Sequence, residues 1–182
     1  MKPTLKIVCV LANLCLSAVP LALCAEAASE TPVVKATPDE RRRKYEALKK
    51  ELEAFKPAPD AGDEELLAYF QQMISLSTNF AKKNPQTAEG FEAAFNAAIQ
   101  LAAKQNAGTG DMAQVAVDAA PQAGVDQRQM ATCWVLVAYG KLLKNDAAGA
   151  SEALEKVKPL DPDLYERAKQ QLDAFKAQRA KP

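Results

Sequence analysis

Histidine is absent from this 182-residue chain. With it go the commonest general base near neutral pH, the Ser-His and Cys-His nucleophile arrangements, and the commonest zinc ligand. Cysteine is scarce where it matters: Cys9, Cys15 and Cys24 lie in the first 27 residues, and the remainder, which holds Cys133, cannot close an internal disulfide. Cys133 beside Trp134 reads as a small buried hydrophobe, because no basic cluster adjoins it in sequence to hold a reactive thiolate. Charge of one sign is not in excess, with Lys+Arg 23 against Asp+Glu 23, which argues against a protein built to neutralise nucleic-acid phosphates. Glycine-rich phosphate loops are missing, and Gly108-Thr109-Gly110 reads as a turn. The acids of Asp60-Ala61-Gly62-Asp63-Glu64 are too sparse for a calcium loop, so neither metal nor cofactor is expected.

What the chain does hold is small apolar residues at helical spacing: 48% of it is hydrophobic and only 6% aromatic. Residues 1–27 read as an export signal, with Lys2 and Lys6 before the apolar run Ile7 to Leu23 and the small residues Ala25-Glu26-Ala27 at the cleavage positions. An uncleaved membrane anchor is the rival reading, disfavoured by Asn13, Ser17 and Pro20. Lipid attachment at Cys24 is a third, although Leu23 stands where that signal wants a smaller residue. The expected location is periplasmic or secreted. Residues 28–36 form a flexible tether.

Thr37, Pro38 and Glu40 are the signature of a capped helix start, opening a charged amphipathic helix over 37–57 with Tyr45, Leu48, Leu52 and Phe55 on its apolar stripe. Its Arg41, Arg42 and Arg43 offer a weak contact to an anionic membrane surface; interleaved acids such as Glu46 point instead to a solvated face. A linker over 58–62 follows, and a helical domain fills 63–182. The first helix of that domain carries Leu66, Phe70, Met73, Ser77 and Phe80 on one side and stops at Lys82-Lys83-Asn84-Pro85. Thr87 opens the next, Asp111 is expected to cap a short one, and Asp161 with Pro162 starts a last, capping helix.

Between these lies the stretch from Val125 to Pro162. Asp126 and Gln129 predict a capping box, Met130, Trp134, Val137, Ala138 and Tyr139 keep helical period, and Asp146 caps a partner helix with Ala147, Ala150, Leu154 and Val157. An offset of 39 lays Phe91 on Met130, Phe95 on Trp134 and Asn106 on Asn145, so the preceding helix pair shares its pattern.

Trp134, Val137, Ala138, Asp146, Ala150, Leu154 and the closing Leu160-Asp161-Pro162 resemble one tetratricopeptide repeat. Lys141 departs from that pattern at a position the family fills with a large aromatic, and Pro159 shortens the second helix. The resemblance implies an all-α fold of antiparallel helix pairs, a short solenoid or irregular bundle of about seven helices. It also implies a non-catalytic protein- or peptide-binding module whose groove falls on Val135, Tyr139 and Leu142, with core packing as the competing role for these residues. The alternative from a different class is an envelope enzyme using paired carboxylates on a polysaccharide, which needs only two acids at suitable separation.

Overall fold

A computed structural model describes residues 36–58, 60–120 and 124–179. The export signal, Cys24, most of the tether and Pro121, expected from sequence to end the short helix after Asp111, lie outside them. Seven helices and no strand occur among the described residues: α1 (Pro38–Ala54), α2 (Asp63–Lys83), α3 (Ala88–Ala103), α4 (Thr109–Ala119), α5 (Gln127–Leu143), α6 (Ala147–Glu155) and α7 (Pro162–Arg179). The fold is therefore all-α, and chain neighbours pack as spatial neighbours. None of these helices is long and apolar enough to cross a membrane.

Local chemistry sets most boundaries. The Thr37 box is complete: its hydroxyl accepts from Glu40 N while the Glu40 carboxylate accepts from Thr37 N. Thr87 caps α3 by accepting from Gly90 N, and it donates to Asn84 O at 2.8 Å, tying the end of α2 to the start of α3. Two expected caps differ from the sequence reading. The Asp126 carboxylate accepts from Arg128 N, one residue earlier than a capping box requires, and no reciprocal bond from Gln129 forms. Asp111 caps nothing. The α4 helix begins at Thr109, whose hydroxyl and amide both donate to Asn106 O, and Asp111 in its first turn reaches Lys144 instead.

The two central hairpins turn alike. After α3 the chain passes through a left-handed residue at Gln105 (φ 53) and after α5 through one at Asn145 (φ 62), a spacing of 40 from 105 to 145. The same bonds brace each turn: Asn106 N donates to Leu101 O and Asp146 N to Lys141 O, both at 2.9 Å. The offset of 39 read from side chains holds for the helix starts at Thr87 and Asp126. The turns lie one residue further on because α5 has 17 residues and α3 has 16.

Alanine and glycine make the helix seams narrow. The α3 helix buries Phe91, Ala94, Ala98 and Leu101, and α5 buries Ala131, Leu136, Ala138 and Gly140. Contacts run from α2 to α3, α3 to α4, α4 to α5 and α5 to α6, with α7 closing on α5 and α6. Trp134 is half-buried against this core, and the Lys156 ammonium at the end of α6 lies 5.1 Å from its ring centroid. A second, smaller apolar cluster joins Tyr45 and Leu48 of α1 to Ala93 of α3, with Leu76 and Phe80 of α2 against it. The α1 helix is thus anchored on α2 and α3 through this cluster, and Leu52 near its C-terminal end also packs against the main core.

Candidate functional site

Antiparallel to α2 and parallel to α3, α1 leans on both. Arg41 Nε lies 3.5 Å from Glu89 Oε2, Arg42 reaches Glu92 at 3.5 Å, and the Asn96 amide donates to the Tyr45 hydroxyl at 3.0 Å. On the other side the Tyr45 ring packs 5.8 Å from Phe80. These contacts lie in the N-terminal half of α1, and a cleft of about 530 Å³ lies between α1, α2 and α3. That volume is within the range of small-ligand sites.

Each wall is chemically distinct. Leu48 and Leu52 of α1 face Met73 of α2 and Ala97 of α3, giving an apolar interior. Along α3 stand Asn96 and Gln100, one helical turn apart, and the Tyr69 hydroxyl of α2 donates to Gln100 Oε1 at 3.2 Å. The deep wall includes Ser77, whose Oγ is buried with no hydrogen-bond partner. Lys49 and Lys56 at the rim are paired with Glu46 and Glu53. Burial, reinforced by the nearby Glu92 carboxylate, pushes the Tyr45 phenol up to about 12, so it stays neutral and hydrogen-bonding.

The cleft lining has Glu53 as its single described carboxylate. Two facing acids, the minimum for glycoside cleavage, are not brought together there. No cluster of metal-binding side chains occurs among the described residues. A shallow depression on the outer side of α1, lined by Asp39, Arg42, Arg43 and Glu46, is formed by one helix alone.

Val135, Tyr139 and Leu142, the groove expected from sequence, are 7%, 3% and 5% exposed. The Tyr139 ring meets Phe175 of α7 edge-on at 5.5 Å, so the side of α5 that would receive a peptide carries a helix of the same chain. Of the arginines read as a membrane contact, Arg41 and Arg42 face acids of α3, while Arg43 donates to Asp39 O. Cys133 is fully buried.

Tyr69, Asn96, Gln100 and the importance of Ser77 do not stand out as a site along the chain. Two signals were legible: Ser77 interrupts an apolar stripe, and Asn96 and Gln100 share one face of an alanine-rich helix. Neither says which helix lies opposite. The chain matches no protein-family model, no curated protein and no solved structure.

Proposed function

We propose that this is an exported, non-catalytic binding module of the tetratricopeptide-like kind, and that its binding site is the cleft between α1, α2 and α3. The observation that carries the reading is the cleft itself: an apolar interior beside Tyr69, Asn96 and Gln100, which orient a guest without supplying acid, base or nucleophile chemistry. The matched turns at Gln105 and Asn145 support a helix-pair module.

The test is recovery of envelope components on immobilised protein, comparing the parent chain with Leu52→Arg in the cleft and Tyr139→Ala in the core. The proposal expects a component retained by the parent and by Tyr139→Ala but lost on Leu52→Arg. Identical recovery with Leu52→Arg rejects the cleft as the site.

A further inference from the structure

We infer that the guest of the α1–α2–α3 cleft is an extended, uncharged stretch of polypeptide held by its main-chain amides. The inference rests on the cleft being the binding site and adds the chemistry of what enters it.

Hydrogen-bonding capacity is the first argument. The Asn96 amide uses one N–H on Tyr45, and Gln100 uses one lone pair of its carbonyl to accept from Tyr69. Each side chain keeps both kinds of group: Asn96 has Oδ1 and its second N–H, and Gln100 has both Nε2 hydrogens and the second lone pair of Oε1, so a guest that both donates and accepts satisfies them. Both stand on α3 four residues apart, a rise of about 6 Å. An extended chain repeats every two residues at about 6.6 Å and presents an N–H and a C=O toward the same side. An acyl chain has no N–H to give Asn96, and a carbohydrate has no apolar side chain for the interior.

Charge is the second argument. Lys49 and Lys56 are the cations of the cleft lining, and each holds a carboxylate of α1 already. An anionic headgroup or a charged terminus would meet a cation whose charge is already balanced and a carboxylate that repels it, whereas a neutral chain interior does not. Apolar side chains alternating with the bonded ones would then lie between Leu52, Met73 and Ala97. Ser77 gives the third argument. Its hydroxyl belongs to the cleft lining, enclosed and unpartnered, and a main-chain carbonyl is the kind of acceptor the empty cleft lacks there.

The experiment uses the purified protein and three probes: the blocked peptide acetyl-Thr-Val-Thr-Leu-Thr-Val-Thr-amide, the same peptide N-methylated at alternate residues, and decanoate. Calorimetry measures binding to the parent chain, Gln100→Ala and Gln100→Glu; the glutamate keeps the acceptor for Tyr69 but lacks the donor. Gln100 is exposed, so both variants keep the fold. The expected result is binding of the plain peptide, weakened about tenfold by N-methylation and about tenfold by either Gln100 variant, the upper end of what one net hydrogen bond contributes. Equal binding of the N-methylated peptide, or decanoate binding in place of peptide, overturns the inference. Anilinonaphthalene sulfonate, titrated against the parent and Leu52→Arg, separates the two readings. Dye bound in a Leu52-dependent way with no peptide bound leaves the cleft standing and removes the polypeptide. Neither bound removes both.

Discussion

Gly110 of α4 and Gly140 of α5 cross backbone to backbone. A Cβ on Gly140 would overlap the N and Cα of Gly110, and one on Gly110 would lie 3.1 Å from Gly140 Cα and 3.2 Å from Val137 O. The obstacle in both cases is main chain, which cannot rotate away. Gly140→Ala is therefore expected to cost about 3 kcal/mol or more, and Gly110→Ala less, at the lower end of the 1–3 kcal/mol typical of overpacking. Urea unfolding midpoints check the order. Equal, small effects would mean the helices are further apart than described.

Ser77 leads to the opposite sign. Its Oγ is buried with no partner, so Ser77→Ala removes an unpaid desolvation cost and is expected to raise stability by about 1 kcal/mol. Thermal midpoints with and without a bound guest test this. Stabilisation of the empty protein combined with weaker guest binding is the expected pair of results.

Tyr45 gives an alkaline signature. Its folded pKa of about 12 stands above the ordinary value of 10.0, so the folded state holds the proton after the unfolded state has released it. Stability from this group is intact below pH 10 and is lost as pH rises toward 12. Tyr69 and Tyr165 are also raised, by burial and by the hydrogen bond to Glu155 respectively, and add in the same direction. Tyr45→Phe should flatten the alkaline fall, and tyrosinate absorbance should lose its latest-ionising component.

Asp146 gives an acid signature. Its carboxylate accepts from Gly149 N at 2.8 Å and pairs with Lys141 at 3.2 Å, and these contacts, the backbone bond first, hold its pKa below the ordinary 3.8. The lowered value means the contribution is present above pH 3.8 and disappears as pH falls through the folded pKa. Asp146→Ala should lower the thermal midpoint at neutral pH, while Asp146→Asn, which keeps a capping oxygen, should lower it less.

Lys141 shows how far sequence carries and where it stops. Read along the chain, it is a departure from the repeat pattern. In three dimensions it spans the hairpin turn to Asp146, and the turn it braces has the same geometry as the one at Gln105. Helix periods, the Thr37, Thr87 and Asp146 caps and the stop after Lys83 were all legible, because each depends on residues within about one turn of the chain. The Asp111–Lys144 pair, at 2.7 Å, joins two helices, and nothing local to Asp111 distinguishes it from a cap. The cleft was hidden for the same reason: its walls come from three helices, and Tyr69, Asn96 and Gln100 acquire meaning only when α1 is seen to lie across α2 and α3. Burial of Tyr139 depends likewise on Phe175, far along the chain.

The placement of α1 decides the account. Nuclear Overhauser contacts measured on the labelled protein should join the Tyr45 ring to Phe80, whose centroids are 5.8 Å apart, and the Asn96 side-chain amide to Tyr45. Both contacts, together with protected α1 amides, are the predicted result. Neither contact, with α1 amides exchanging as in an isolated helix, would show that the cleft has no outer wall.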